Sequence, residues 1–230
     1  MAPPVALILG SGPRVGAAVA SAFAADGYKV AVVARKGSNS KTDEGYLSIM
    51  ADLSNPDSVP GVFEAVMAEF GVAPGVVIYN AASLTPPPDK DSVLSIPADR
   101  LAYDLNVNTI SPFCAAQEAI KGWTALSAGP KVFIYTGNAL NGMVLPVPMM
   151  LNLGVGKAAS AYWVGLVDGA YSAKGYRFIY ADEREPGGKM KGMALDGVAH
   201  ANFYTQLAKS TEGIPWQATF VKDNGYVSFK

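Results

Sequence analysis

The chain is poor in the residues that build metal centres and disulfide frameworks. Its 230 residues include one cysteine, Cys114, and one histidine, His200. A single cysteine excludes a disulfide framework and a cysteine-rich metal site, so no metal ligands are assigned and Cys114 reads as a small core residue. Charge is sparse as well: 18 Lys and Arg stand against 19 Asp and Glu, and charged residues make up 16% of the chain. With a net charge of −1 there is neither the basic footprint of a nucleic-acid partner nor a polybasic membrane patch. A charged share below the usual ~25% points to surface covered by another subunit. No apolar run has the length of a membrane span, and the first, ending at Gly10, lacks the basic flank of a signal peptide. A soluble, cytoplasmic protein is expected. There is no internal repeat and no low-complexity tract, and at 50% hydrophobic content residues 1–230 read as a single domain with a large core.

What is present is organised around Val5-Ala-Leu-Ile-Leu-Gly10-Ser-Gly12-Pro-Arg14-Val15-Gly16 and the small residues after it. The pattern reads as strand, phosphate-binding turn and helix. A pyrophosphate needs backbone N–H groups close by and the positive end of a helix dipole beneath it, which glycines allow because no Cβ intervenes. Gly10 makes the turn, Gly12 allows close approach and Gly16 lets the helix pack on the strand. The helix Ala17 to Phe23 stops at Asp26-Gly27, and Val30 to Ala34 is a second apolar strand, completing a βαβ unit. An acidic residue after this strand would select NAD by bonding the adenosine ribose, but the chain reads Ala34-Arg35-Lys36. Those cations favour the 2′-phosphate of NADP(H), unless they are simply a solvated loop, and Arg14 is a second candidate for the same phosphate.

Further along, Tyr46 to Met50 reads as a third strand leading to Asp52-Leu53, and Asn55-Pro56-Asp57 opens a helix to about Phe70. Gly75 to Tyr79 is a fourth strand followed by Asn80-Ala81-Ala82. Helix from about Pro97 runs on through Asn108 to Ile120. Lys131 to Tyr135 is a fifth strand ending in Thr136-Gly137-Asn138, and the apolar connection Met143 to Leu151 is a candidate substrate wall. Helix over Leu153 to Ala173, a sixth strand over Arg177 to Ala181, a break at Pro186-Gly187-Gly188, helix over Met193 to Ser210 and a closing strand over Trp216 to Val221 complete the chain. This rhythm implies an α/β fold, a Rossmann-like doubly wound parallel sheet with helices on both faces.

With these pieces in order, the chain resembles the short-chain dehydrogenase/reductase family over essentially its whole length. Gly10 to Gly16 looks like the family's TGxxxGxG, with Leu9 in place of Thr and Arg14 at the middle glycine. Asp52-Leu53 resembles its adenine-binding pair, Asn80-Ala81-Ala82 its NAG element, Asn108 the asparagine that holds a relay water, and Pro186-Gly187 the turn near the nicotinamide, here preceded by about three extra residues. The resemblance implies a nicotinamide cofactor, with Lys157 on its ribose, and a homodimer or homotetramer formed through the helices from about Leu105 and Leu153, with Trp163 and Leu166 as contact residues.

The family's chemistry uses a serine, a tyrosine and a lysine, the tyrosine four residues before the lysine so that both leave one helix face. Lys157 fits the lysine, but Leu153 stands where the tyrosine is expected and has no proton to give. Some atypical members also lack this tyrosine, so the chain resembles a branch of that kind. Thr136 and Asn138 are the candidates to polarise a carbonyl in the absence of the serine. Three routes remain: Lys157 acts through water and the ribose, Tyr135 or Tyr180 swings in, or the site performs no redox chemistry. The expected function is an NADP(H)-dependent oxidoreductase acting on a small, largely apolar carbonyl or alcohol; the alternative is a nucleotide-binding regulator, isomerase, cyclase or lyase on the same scaffold. His200 reads as a packed or surface residue, and the acidic run Asp182, Glu183 and Glu185 as a solvated loop.

Overall fold

The computed structural model describes residues 3–229. In chain order the elements are β1 (Val5–Leu9), α1 (Val15–Ala25), β2 (Lys29–Ala34), β3 (Ser40–Lys41), β4 (Leu47–Met50), α2 (Val59–Phe70) and β5 (Val76–Tyr79). They continue with α3 (Ala98–Leu105), α4 (Ser111–Trp123), β6 (Val132–Thr136), α5 (Leu151–Tyr171), β7 (Arg177–Glu183), α6 (Gly197–Lys209), β8 (Gln217–Val221) and β9 (Gly225–Tyr226). The strands form one sheet in the order β3-β4-β2-β1-β5-β6-β7-β8-β9.

Seven of these strands run parallel, and their near-continuous Val, Ile, Leu and Phe content reflects burial on both faces. Alternate residues feed two cores. Leu7, Leu9, Tyr79, Tyr135 and Tyr180 pack with α2, α4 and α5, whereas Ala6, Ile8, Ile78, Ile134 and Ile179 pack with α1 and α6. The expected doubly wound architecture is therefore present. The sheet departs from all-parallel at its two edges, where the short β3 and β9 pair antiparallel with β4 and β8. Such short strands lie below the length at which alternation can be read.

Two boundaries differ from the sequence reading for physical reasons. β7 continues past Ala181 through Asp182 and Glu183, because Arg184 and the segment that follows supply partners for both carboxylates. α6 starts at Gly197, since the Asp196 side chain accepts from the N–H groups of Val198 and Ala199 and sets the helix start there rather than at Met193. Between α3 and α4 the helix widens into a π turn at Asn106–Ile110, centred on Asn108.

Candidate active site

The carboxyl ends of β1, β2, β4 and β5 open into a cleft of about 460 Å³. Gly10, Gly12, Arg35, Asp52, Leu53, Asn80, Ala81 and Ala82 all line it. Gly10 has a φ of +98°, and a Cβ there would lie 2.4 Å from the Ala81 nitrogen, so this glycine is fixed by backbone conformation and close packing. A Cβ on Gly16 would meet Ser11 Cα at 2.7 Å, which is the tight strand-to-helix approach expected of it. Gly12 is different: a Cβ there would meet no protein atom within 4 Å. Packing within the protein does not call for glycine at that position. The start of α1 at Val15 has no side-chain cap, which leaves backbone donors at the helix N-terminus for an anion.

The rest of the cleft is held by its own polar groups. Asn80 Nδ2 donates to the Gly10 carbonyl at 2.8 Å and clamps the turn to β5. Asp52 accepts from Ser54 through both its N–H and its hydroxyl, and these bonds, aided by Arg35, hold the carboxyl below its ordinary pKa. Leu53 is buried, with its carbonyl accepting from Ser111. Lys36 is exposed and outside the cleft lining, leaving Arg35 as its cation. Arg14 does not join Arg35: its Nη1 donates to the Met193 carbonyl at 2.7 Å, tying the glycine turn to the segment before α6.

At Asn108 the structure departs from the expected water site. The carbonyl oxygen accepts from Tyr135 Oη and Ser160 Oγ, each at 2.7 Å, so both lone pairs are used by the protein. Its side chain is engaged as well, accepting from Ser83 N–H at 3.0 Å and donating to the Ser83 carbonyl at 2.8 Å. A π turn loosens the regular helix ladder, and hydroxyls take up the freed carbonyls: Tyr79 Oη donates to Val107 at 2.6 Å. Tyr79, Tyr135 and Tyr180 occupy one register row across β5, β6 and β7, with neighbouring rings stacked at 6.0 Å and 5.5 Å.

Lys157 lies over the middle ring of this row, only 4% exposed. Its Nζ donates to the Thr136 carbonyl at 2.7 Å and sits 4.4 Å from the centre of the Tyr135 ring. Burial pulls its pKa down to about 7, against the opposing pull of Asp182. The Thr136 hydroxyl accepts from Tyr204 at 2.9 Å on the α6 side of the sheet, opposite to Lys157, which is inconsistent with the expected carbonyl-polarising role. Asn138 uses its Oδ1 to cap the turn at Leu140. Its backbone carbonyl and N–H bond Tyr180 Oη at 2.8 Å and 3.0 Å, and the ring of Tyr180 fills the space a side chain at Gly137 would need. Tyr135 and Tyr180 are thus both buried with their hydroxyls committed, which removes the swinging-tyrosine route.

At the end of β7, Asp182 and Glu183 are buried rather than solvated. Asp182 pairs with Arg184 Nε at 2.6 Å, and Glu183 accepts from the Asp196 N–H at 2.8 Å and lies 3.5 Å from His200 Nδ1. Burial raises the pKa of both acids and lowers that of His200, itself packed against Tyr204 and Phe220. Pro186 and Gly187 lie at the exposed tip of a hairpin closed by an Arg184–Met190 bridge and line neither the nucleotide cleft nor the apolar cavity described below. Two residues, Asp182 and Glu183, lengthen β7 ahead of this hairpin.

The connection from Met143 to Leu151, with Leu140 before it and α5 behind it, encloses a second cavity of about 680 Å³. Its lining is apolar apart from Asn141. A buried network that sequence reasoning missed lies between the two cavities. Asp104 accepts from Ser83 Oγ at 2.5 Å, Thr85 N–H at 2.7 Å and Asn152 Nδ2 at 2.8 Å. Burial alone would favour the neutral acid, but together the hydrogen bonds from Ser83, Asn152 and Thr85 outweigh it and hold the pKa below its ordinary value. Its only trace in the sequence is an acid on the apolar flank of α3.

Of the two proposed subunit-contact residues, Trp163 is 9% exposed and packs on Phe113 and Phe133, whereas Leu166 is 64% exposed. Among the described residues no group of three His, Cys, Asp or Glu side chains could hold a metal ion, and no helix is long and apolar enough to cross a membrane.

Residues 13–159 match a family model described as enoyl-(acyl carrier protein) reductase. The whole chain aligns with the short chain dehydrogenase/reductase dmxR12 of Cryptosporiopsis sp. (strain 8999), at 40% identity and covering 96% of that protein. In fold it is similar to a short-chain type dehydrogenase/reductase from Mycobacterium marinum, with a TM-score of 0.81, 21% identity and coverage of 99% of this chain and 96% of the other. A short chain dehydrogenase from Burkholderia cenocepacia J2315, solved in complex with NADP, gives a TM-score of 0.75 at 20% identity, covering 96% and 97%. The chain belongs to the short-chain dehydrogenase/reductase family of oxidoreductases.

Proposed function

We propose that the protein is an NADP(H)-dependent oxidoreductase acting on a small, largely apolar carbonyl or alcohol, in a branch of the family that dispenses with the tyrosine before the lysine. The observation that carries this reading is the position of Arg35. It lines the same cleft as Gly10, Gly12 and Asp52, at the end of β2 where an acidic side chain would select the unphosphorylated ribose. A guanidinium there offers paired N–H donors to a 2′-phosphate. The uncapped start of α1 and the unfilled space over Gly12 suit the pyrophosphate. The related Burkholderia structure, which holds NADP, is in keeping with this assignment.

Bound in that cleft, a nicotinamide supplies hydride to a carbonyl carbon or accepts it from an alcohol. The developing alkoxide also needs a proton. Lys157, held against the Thr136 carbonyl with a pKa near 7, is the group we assign to that task, directly or through water. Asn108 anchors the loop at Ser83 that borders the cleft, Asn138 shapes the turn at Leu140, and the cavity behind Met143 to Leu151 takes the apolar body of the substrate. Ile110 at the end of the π turn, Phe113 on α4, and Tyr162 and Leu166 on α5 expose apolar surface, in keeping with a homodimer or homotetramer formed there.

One observation favours a second reading, a protein of this fold without redox turnover. Leu153 replaces the usual acid, and the hydroxyls of Tyr135, Tyr180 and Thr136 are all engaged elsewhere. Following nicotinamide absorbance with NADPH and a series of uncharged ketones separates the two. Oxidation of NADPH that is lost in Lys157→Ala supports the oxidoreductase. Tight NADPH binding without oxidation by any ketone supports the second reading.

A further inference from the structure

Helix α5 carries two glycines that its own packing explains and two that it does not. A Cβ on Gly156 would lie 2.5 Å from the Cβ of Asn108, and one on Gly165 would lie 2.8 Å from the Trp216 ring, so both are set by neighbours. A Cβ on Gly154 would meet no other part of the protein within 4 Å, and Gly154 lies in a helix where glycine is less stable than alanine. Gly169 is equally free but is exposed and lines no part of the apolar cavity. Gly154 does line it, together with Leu151, Val155 and Ala158. These positions are spaced i, i+3, i+4 and i+7, so one face of the helix is turned to the cavity. Gly142 also belongs to the lining, at its exposed margin, with nothing within 4 Å of an added Cβ.

Gly154, half-buried against this cavity and held neither by packing nor by a positive φ, keeps open a space that the fold does not fill. The volume, about 680 Å³, falls within the ~300–1,000 Å³ of small-molecule sites. No charged side chain lines it, which excludes a carboxylate, phosphate or ammonium group on the part of the ligand that enters. We infer that Gly154 sets the size limit of this site: the uncharged, apolar body of the substrate lies directly against the opening turn of α5, in the space any side chain at 154 would take. This deepens the proposed function, since it rests on the cavity being the substrate end of that site.

The test uses the full chain, with Nile red as a neutral apolar probe and NADPH as a separate ligand. Gly154→Ala raises the thermal midpoint by about 2 °C through helix propensity while weakening Nile red about fivefold or more. Gly154→Leu weakens the dye about fiftyfold or more, and both variants bind NADPH within about twofold of the parent. Stabilisation with loss of dye is the signature, because a glycine kept for folding would give the opposite sign. Gly142→Ala supplies an independent variant at the margin of the same lining and also weakens the dye. Dye affinity unchanged in Gly154→Leu, or absent in the parent, overturns the inference. So does dye binding that varies only with subunit dissociation, since a second copy would then fill the space. Failure of the parent to bind NADPH while the dye behaves as described defeats the cofactor reading alone and leaves this site standing.

Discussion

Tyr135 Oη and the carbonyl oxygen of Asn108 are 2.7 Å apart, and the same oxygen lies 2.7 Å from Ser160 Oγ. A strand and a helix on the same side of the sheet thus converge on one carbonyl of the π turn. That carbonyl is fully used, with no lone pair left for a relay water. Lys157, the proton donor of the proposed function, sits over the same tyrosine ring.

Because two hydroxyls share the acceptor, losing one leaves it bonded. Tyr135→Phe and Ser160→Ala should each lower unfolding free energy by about 1 kcal/mol. The double variant should lose more than their sum, by about 1 kcal/mol or more, since only then is the buried carbonyl stranded. Urea denaturation of the four proteins measures this coupling; strict additivity contradicts it.

Lys157 makes stability depend on pH. An unfolded lysine keeps its proton to about 10.5, whereas burial lets the folded one go near 7. Between those values the unfolded chain binds more protons, so this group's contribution to stability rises with pH. Lys157→Met should therefore be the more stable protein at pH 7, and its advantage should shrink steadily toward pH 10. Parallel urea titrations across that range check the trend, and an advantage that grows with pH would contradict the buried, readily deprotonated amine.

Gly10 and Gly12 should separate folding from ligand binding. Gly10→Ala forces a side chain into a positive-φ position against Ala81 and should cost about 2–4 kcal/mol of stability. Gly12→Ala meets nothing in the protein and should leave the thermal midpoint within about 2 °C of the parent while weakening NADPH about tenfold or more. Equal loss of stability in the two variants would show that Gly12 also serves the fold.

The sequence announced the nucleotide half of the site because its demands fall on the backbone. Gly10, Gly16, Asp52 and Asn80 sit where strand, turn and helix signals meet, and those signals are local. The catalytic half depends on where side chains turn after folding. Nothing in Thr136-Gly137-Asn138 tells that the threonine hydroxyl faces Tyr204 or that Asn138 Oδ1 caps the turn at Leu140. Asp182 and Glu183 looked like a solvated loop because acids rarely continue a buried strand; the partners that allow it, Arg184 and the Asp196 backbone, come later in the chain. Trp163 looked like an interface residue for a related reason, as an apolar helix position does not say whether its partner is Phe133 or another subunit. The absent tyrosine was legible at Leu153. Its consequence, a row of tyrosines locked onto backbone carbonyls, needed the strand register.

Titration of the purified protein with NADPH and NADH, repeated on Arg35→Ala, tests the central claim most directly. The account predicts that NADPH binds about tenfold or more tightly than NADH, and that Arg35→Ala removes this preference by weakening NADPH while leaving NADH within about twofold. Binding of neither nucleotide, or an NADPH affinity untouched by the substitution, would contradict it.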